Sequence, residues 1–207
     1  PISICEVRED GQALRIVYRV AGQGTAEFST YQAGESIAVM GTLGNGFPVE
    51  KVTDEQTTVF LMGGGIGIPP ILQLAKSLNC NKKIIVGYRD ASLFLKEDLE
   101  KYGEIIIATE DGSVGTKGNV MDAIRERNLK ADMIYACGPM PMLRAIKQYA
   151  EEADIPAYIS LEERMACGVG ACLGCVCKTK EVDAHSHVHN ARICTDGPVF
   201  EAKEVEI

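Results

Sequence analysis

The 207-residue sequence lacks several features that would mark particular classes of protein. No apolar run is long enough to span a membrane, and the longest runs, such as Thr58–Met62, have the length of a strand. Basic residues are few, with 21 Lys and Arg against 29 Asp and Glu, and the net charge of -8 comes from scattered acids rather than blocks. We therefore expect neither nucleic-acid binding nor attachment to an anionic membrane, which leaves small molecules and protein partners.

A secretion signal is also missing, because nothing near the N-terminus resembles a signal peptide. The sequence opens on the strand-like run Pro1–Val7 with no preceding turn or cap, which predicts a chain truncated inside an element. We expect a cytoplasmic protein. Eight cysteines in such a chain indicate metal binding rather than disulfides.

Four of the cysteines form a spaced set near the C-terminus. Cys167, Cys172 and Cys175 follow the pattern C-x4-C-x2-C, and Cys194 stands ahead of the run 195–198. This is the plant-type spacing of the four ligands of a [2Fe–2S] cluster. Small residues between the cysteines let the loop fold tightly and aim backbone N–H groups at the cluster sulfides: Gly168, Gly170, Ala171 and Gly174.

Two other uses of these cysteines remain open. A structural zinc site also takes four cysteines, although it usually arranges them as two C-x2-C knuckles and needs no run of small residues. A disulfide framework would require an oxidising compartment, for which there is no sign. Cys177 lies just beyond Cys175, but the spacing is complete without it, so we interpret it as a packed or spare thiol.

The middle of the chain alternates strand-sized apolar runs with segments of helical period, which is typical of a parallel sheet covered by helices. The predicted strands are Val59–Met62, Lys83–Tyr88, Glu104–Thr109, Met133–Ala136 and Ala157–Ser160. The predicted helices are Pro69–Leu78, Leu93–Lys101, Asn119–Arg127 and Met140–Ala153. This is a doubly wound nucleotide-binding layout.

The first of these strands runs into a glycine-rich turn that precedes a helix. Without Cβ atoms, glycines let the backbone approach a pyrophosphate, which then lies at the positive end of the helix. The spacing differs from the G-x-G-x-x-G of a generic Rossmann dehydrogenase, and a turn without a ligand is the alternative. The candidate nucleotide-binding glycines are Gly63, Gly64, Gly65 and Gly67.

Two other strands end in candidate ligand-binding residues, at the edge where doubly wound sheets bind their ligands. The fourth strand ends in Cys137, Gly138 and Pro139, and Cys137 is the candidate catalytic residue, although a packed small residue is the simpler interpretation. The third ends in Glu110 and Asp111, whose charges suit ribose hydroxyls and repel a 2′-phosphate. They favour NAD(H) over NADP(H), and a solvated acidic turn is the alternative.

Short alternating runs in the first segment predict antiparallel strands that form part of a barrel. They lie at 1–7, 14–20 and 36–40, with glycine-rich turns between them. The turn Gly22-Gln23-Gly24-Thr25 is either a plain turn or an anion-binding loop. Gly44-Asn45-Gly46 is equally open between a tight loop and a loop at the edge of a ligand site.

Taken together, the order of motifs resembles the ferredoxin-reductase-like flavoproteins, and most closely the iron–sulfur electron-transfer subunits of type B dihydroorotate dehydrogenases. The resemblance covers essentially the whole chain. Its most specific parts are Met165–Cys172, Asp196–Phe200 and Asp111–Gly118, together with the turn at 63–70 and the run Ala136–Met140.

The resemblance implies an FAD site in the first segment. The family's flavin motifs match Pro1, Ile2 and Ser3, then Val17, Tyr18 and Arg19, then Gly24 and Thr25. Arg19 would pair with the flavin phosphate, while Gly24 and Thr25 would donate hydrogen bonds to it. The arginine that opens the first family motif is absent here, and Thr42 stands where the family commonly has proline.

The resemblance also implies a function. NADH would pass a hydride to FAD, FAD would hand single electrons to the cluster, and the cluster would exchange them with the FMN of a separate dihydroorotate dehydrogenase catalytic subunit, in a heterotetramer with two copies of each chain. Two alternatives stay open. One is a related reductase that serves sulfide, ferredoxin or hydrogenase partners, and the other is a zinc-bearing regulatory module.

These interpretations give an expected fold of mixed α/β and β classes. We expect an incomplete antiparallel flavin-binding barrel over 1–50, a doubly wound parallel-sheet NAD-binding domain over 51–160, and a small [2Fe–2S] domain over 161–207. The last contains all three histidines of the chain, His185, His187 and His189, which we interpret as one solvated face of a hairpin rather than as metal ligands.

Overall fold

The computed structural model describes residues 1–182 and 187–207. His185, predicted to lie on the solvated face of a hairpin, is outside the described residues. The first segment holds an antiparallel ribbon, a short helix and a single 3₁₀ turn at Val49–Lys51. Its elements are β1 (Ile4–Val7), β2 (Leu14–Ile16) and α1 (Gln23–Phe28). In the ribbon, Ile4 lies opposite Ile16.

Two strand predictions in this segment are wrong. The predicted strand over 14–20 ends at Ile16, and the run at 36–40 is not a strand. Val39 and Met40 are exposed at 75% and 66%, so the alternating pattern has no apolar surface to cover. A strand also needs a partner for its backbone groups, and none of the described strands pairs with 36–40.

The centre of the molecule is a seven-stranded sheet in the order β11-β8-β7-β3-β4-β5-β6. All neighbours are parallel except the edge strand β11, which runs antiparallel to β8. The parallel strands are β3 (Thr58–Gly64), β4 (Asn81–Tyr88), β5 (Glu104–Thr109), β6 (Thr116–Lys117), β7 (Met133–Cys137) and β8 (Ala157–Ser160). The edge strand β11 covers Val199–Glu201, so the sheet takes a strand from beyond residue 160.

Helices cover both faces of this sheet. They are α2 (Ile68–Ser77), α3 (Lys96–Leu99), α4 (Val120–Glu126) and α5 (Met140–Ala153). Alternate residues of β3 point to opposite faces, so Phe60 and Met62 pack with α4 and α5, while Val59 and Leu61 pack with α2 and α3. The predicted helix Leu93–Lys101 is much shorter in the structure, because Leu95 has a φ of 62° and the helix begins only after it.

Charged and polar contacts attach the N-terminal ribbon to the helices of the sheet. Cys5 is fully buried in the cluster that includes α2, and the Val7 N–H donates to Gln73 at 2.7 Å. The Arg15 guanidinium reaches Asp98 of α3 at 2.8 Å. The exposed end of the ribbon, at 1–3 and 17–19, therefore has a fixed position relative to the sheet.

The C-terminal segment adds a small antiparallel sheet of three strands in the order β10-β9-β12. The strands are β9 (Val176–Thr179), β10 (Asn190–Arg192) and β12 (Val205–Glu206). The fold is thus a mixed α/β fold with a parallel sheet and a small C-terminal antiparallel sheet. Among the described residues, no helix has the length and apolar character needed to cross a membrane.

Candidate functional site

The carboxyl ends of β3 and β7 form the topological switch point of the sheet. From β3 the chain continues to β4, β5 and β6 on one side, and then returns to β7 and β8 on the other. Gly63 lies opposite Cys137 in the pair β3–β7, so the predicted glycine turn and the predicted run 137–139 meet here. Doubly wound sheets bind their ligands in the crevice at such a point.

The positions of the turn are occupied by glycine for different physical reasons. A Cβ on Gly67 would overlap the carbonyl oxygen of Cys137, and one on Gly64 would lie 2.5 Å from the sulfur of Met142. Gly65 instead has a φ of 51° and no atom within 4 Å of a Cβ position. Gly67 is therefore required for the close approach to the backbone of β7, a Cβ on Gly64 would displace the Met142 side chain of α5, and Gly65 faces open space.

Cys137 is half-buried at the end of β7. Burial raises the pKa of its thiol to about 11, against the smaller opposing effect of a hydrogen bond with Ser160. The thiol is therefore protonated at neutral pH and does not supply a thiolate nucleophile. Gly138 packs on Met142, and Pro139 is the N-cap residue of α5.

Carboxylates gather at the ends of β4 and β5, beside the switch point. The Asp111 carboxylate accepts the Ser113 N–H at 2.9 Å, and the pKa of Asp111 is lowered by the Ser113 side chain first and by this N–H second. Glu110 is exposed next to it. Asp90 follows β4 and accepts the Ser92 N–H at 2.8 Å, and the pKa of Asp90 is lowered by the Ser92 side chain first and by this N–H second.

Asp90 and its neighbour Arg89 were not among the candidate residues predicted from the sequence. A signal was present, since doubly wound dinucleotide sites place an acidic residue about 20 positions beyond the glycine turn, at the end of the second strand. Asp90 lies at the end of the second parallel strand, β4. The Asp111 N–H also donates to the Arg89 carbonyl at 3.3 Å, which holds the two strand ends together.

The residues expected to hold flavin lie around one end of the ribbon. Because Ile4 is opposite Ile16, the run at 1–3 and the run at 17–19 leave the ribbon side by side. Gly24 and Thr25 lie in the first turn of α1, where backbone N–H groups have no partner within the helix. The Thr25 hydroxyl, however, already accepts the N–H groups of Ala21 and Gly22 and donates to the Gly22 carbonyl.

The first two cysteines of the spaced set lie close together on a tight, exposed loop. The Cys167 sulfur accepts the N–H groups of Val169 at 3.4 Å and Cys172 at 3.5 Å, and the Cys172 sulfur accepts that of Gly174 at 3.4 Å. These donors lower the pKa of Cys167 to about 6. Positive φ angles at Gly168, Gly170 and Leu173 let the chain turn so that its N–H groups face the sulfurs.

Cys175 and Cys194 form a second pair, and both are buried at 2% exposure. Burial is the main reason that the pKa of the Cys194 thiol is raised, and the neighbouring Cys175 thiol adds to this effect, while the Gly170 N–H acts in the opposite direction. The partly exposed pair and Cys175 thus lie along one loop, whose N–H groups donate to the sulfurs of Cys167 and Cys172.

The loop at 192–197, called the Cys194 loop below, is held together by contacts between Arg192 and Asp196. The Asp196 carboxylate accepts the Arg192 backbone N–H at 2.7 Å and its Nε at 2.9 Å. The Arg192 carbonyl in turn accepts the N–H groups of Thr195, Asp196 and Gly197. Cys194 therefore lies in the middle of a short closed loop.

The four cysteines supply the donor set of a [2Fe–2S] cluster, which needs four thiolates. Within the described ranges 1–182 and 187–207, the side chains do not form a group of three or more His, Cys, Asp or Glu placed to hold a metal ion. Cys177 of β9 belongs to neither pair and packs against the core.

Comparisons with known proteins identify the family. The model of the iron–sulfur cluster binding domain of dihydroorotate dehydrogenase B matches residues 162–206. The dihydroorotate dehydrogenase B (NAD+) electron transfer subunit of Fusobacterium nucleatum is 45% identical over 215 residues, covering 100% of this chain and 80% of that protein. The chain belongs to the electron transfer subunits of dihydroorotate dehydrogenase B. The resemblance and the function predicted from the sequence are confirmed.

Other members of the dihydroorotate dehydrogenase B family match to a similar degree. The subunits of Bacillus velezensis and Geobacillus kaustophilus are 42% and 44% identical, covering 100% and 99% of this chain and 80% and 79% of their own.

Solved structures agree with the fold. An NADH-dependent reduced ferredoxin-NADP oxidoreductase superposes with a TM-score of 0.86 at 29% identity, over 100% of this chain and 73% of that chain. A flavohemoglobin from Malassezia yamatoensis, with a TM-score of 0.53 at 19% identity over 72% of this chain and 42% of its own, shares the fold alone.

We predict that Gly67→Ala destabilises the protein at the switch point. The added methyl overlaps the Cys137 carbonyl oxygen, so the turn and β7 must move apart, at a cost of about 1–3 kcal/mol. Gly24→Ala is the matched control, since its Cβ meets open space in α1. Urea unfolding of both variants measures the difference, and equal unfolding free energies would show that Gly67 makes no such contact.

Proposed function

We propose that this electron transfer subunit joins a nicotinamide nucleotide at the β3–β7 switch point to a [2Fe–2S] cluster held by Cys167, Cys172, Cys175 and Cys194. The observation that carries the proposal is the two cysteine pairs around one N–H-lined loop, attached to the edge of a nucleotide-binding sheet. FAD supplies the conversion between two-electron and one-electron transfer when it is bound.

The cluster loop contributes hydrogen bonds and shape. N–H groups of Val169, Cys172 and Gly174 point at cysteine sulfurs, which stabilises thiolate charge on them. Gly168 and Gly170 let the loop pack closely against its neighbours, because a Cβ on Gly168 would lie 3.1 Å from Leu43 and one on Gly170 would lie 3.1 Å from Thr195. Cys177 is not proposed as a ligand.

The first segment contributes the flavin site. Arg19 brings a positive charge, and the first turn of α1 brings the N–H groups of Gly24 and Thr25, so this end of the ribbon suits a dinucleotide phosphate. The residues at 1–3 and 17–18 would line the same site. The ribbon is proposed to be part of the flavin-binding barrel predicted over 1–50.

The switch point contributes the nucleotide site. The turn at 63–67 leads into the N-terminal end of α2, whose dipole favours a pyrophosphate, and Gly138 and Pro139 line the opposite side. Pro69 and Pro70 in the first turn of α2 have no N–H, so any backbone donors would come from the glycine turn itself. Glu110 and Asp111 are proposed to meet the ribose, and Asp90 joins them. The protonated thiol of Cys137 would lie beside the nicotinamide as a neutral contact.

The relatives' name, electron transfer subunit, implies a catalytic partner chain. We propose that this partner carries FMN and oxidises dihydroorotate to orotate, in a cytoplasmic heterotetramer with two copies of each chain. The likeness to the ferredoxin-NADP oxidoreductase, at 29% identity, leaves a ferredoxin-type partner as the second candidate. Relatives at 42–45% identity favour the first.

The cysteine assignment predicts which serine variants lose iron. Replacement of Cys167, Cys172, Cys175 or Cys194 by serine should abolish or greatly reduce bound iron, because a thiolate ligand is removed. Cys177→Ser should retain iron and is the matched control. Iron content and visible absorbance after anaerobic purification measure this, and retention by Cys175→Ser with loss by Cys177→Ser would reverse the assignment.

The carboxylates of Glu110 and Asp111 predict a preference for NADH over NADPH. Each exposed carboxylate should lower the efficiency with NADPH relative to NADH by about two- to fivefold, because it repels the 2′-phosphate. Added salt should reduce this difference between the two nucleotides. The double variant Glu110→Gln, Asp111→Asn should lose most of this preference, whereas Glu97→Gln on α3 should keep it. Dye reduction with each nucleotide measures the ratio, and equal efficiency of the parent chain with both nucleotides would contradict the assignment.

The relay role predicts that the chain alone does not oxidise dihydroorotate. The proposed nucleotide, flavin and cluster sites account for the motifs of the chain, and none of them is a cationic clamp for a carboxylate substrate. The cofactor-loaded chain is supplied with dihydroorotate and NAD+, first alone and then with the FMN-containing catalytic chain. Orotate should form only in the mixture. Orotate from the lone chain, or no electron transfer in the mixture, would contradict this role.

A further inference from the structure

The loop at 43–46, which the sequence left open between two interpretations, lies directly on the Cys194 loop. The Asn45 backbone N–H donates to the Gly197 carbonyl at 2.6 Å. The Asn45 side-chain amide donates to the carbonyls of Thr195 at 3.0 Å and Asp196 at 3.1 Å. One residue of the first segment thus supplies donors to three consecutive carbonyls just beyond Cys194.

Asn45 supports these carbonyls from outside the loop. The N–H groups of the same three residues point inward to the Arg192 carbonyl, whereas their own carbonyls accept hydrogen bonds from Asn45. Gly44 allows the close approach, because its φ is 67° and a Cβ there would overlap the Gly197 oxygen.

The same stretch of the first segment also reaches the loop that follows Cys167. The Met40 sulfur and the Leu43 Cδ1 each lie 3.1 Å from the position of a Cβ on Gly168. The stretch 40–45 therefore contacts both parts of the chain that carry the four cysteines. It forms one wall of the cysteine site, although it is far away in the sequence.

We propose that Asn45 is a positioning residue for Cys194. Its amide holds the loop in the conformation that buries the Cys194 thiol next to Cys175, so that the first segment and the cluster site form one structural unit. The consequence for the cluster rests on the proposed function, whereas the burial of Cys194 does not.

The first experiment measures the burial of Cys194 in the metal-free chain. Each cysteine is labelled with iodoacetamide under native conditions, and the rates are read by peptide mass spectrometry. Asn45→Asp removes both side-chain amide donors and places a carboxylate against the two carbonyl oxygens of Thr195 and Asp196, so labelling of Cys194 should accelerate by roughly five- to tenfold. Asn45→Ala should act in the same direction.

Two controls separate positioning from general unfolding. Cys5 is fully buried in the other core cluster and reports opening of the whole chain, so its rate should not change. Asn128→Asp, in the turn after α4, is the matched substitution and should leave every rate unchanged. Unchanged labelling of Cys194 in both Asn45 variants would overturn the proposal, and so would equal acceleration at Cys5 and Cys194.

The second experiment follows the cluster. Iron release to a chelator should be faster in Asn45→Asp than in the parent and in Asn128→Asp, and the electron paramagnetic resonance spectrum of the reduced cluster should change in shape. Faster labelling of Cys194 in the Asn45 variants, together with a parent chain that holds no iron, would support the positioning role and refute the proposed cluster. A parent with iron whose labelling and spectrum are unaffected by both Asn45 variants would refute the positioning role alone.

Discussion

The antiparallel pairing of β11 with β8 is the constraint on which the rest of the site depends. It sets Val199 opposite Ser160, so the segment that leaves β8 toward Cys167 and the segment that arrives from Cys194 at β11 start from adjacent positions. Hydrogen bonding between two short strands thereby brings together cysteines that are distant in the sequence. A change that separated these strands would separate the two parts of the chain that provide the pairs.

The same strand, β8, links the cysteine site to the nucleotide edge. Ser160 lies opposite Cys137 at the end of β7, and Gly63 lies opposite Cys137 on its other side. The candidate nucleotide site and the start of the cysteine loop thus occupy neighbouring strand ends. A chain that exchanges electrons between two carriers needs them close and at a fixed separation, and a parallel sheet with buried strands provides such a support.

Much of the sheet could be predicted from the sequence, because buried parallel strands and their helices have strong local patterns. The strands Glu104–Thr109 and Ala157–Ser160 and the helix Met140–Ala153 have the predicted bounds. The first segment could not be predicted equally well. The run at 36–40 alternates as a strand does, but no described strand pairs with it, and pairing is a property of distant residues that a local pattern does not carry.

The contacts that organise the site also could not be predicted from local sequence patterns. The cysteine spacing indicated the four residues but not their arrangement as an exposed and a buried pair. Asn45 appeared only as part of a glycine-flanked turn, and its role depends on carbonyls 150 and 151 residues further along the chain. Asp90 had a recognisable signal in its distance from the glycine turn, and attention to the second strand would have found it.

The central claim is that the two cysteine pairs hold a two-iron cluster. Metal and acid-labile sulfide analysis of the anaerobically purified chain, combined with electron paramagnetic resonance after one-electron reduction, tests it most directly. The account predicts two irons and two sulfides per chain and a signal from a single unpaired electron in the reduced state. One zinc per chain, with no sulfide and no visible colour, would contradict it.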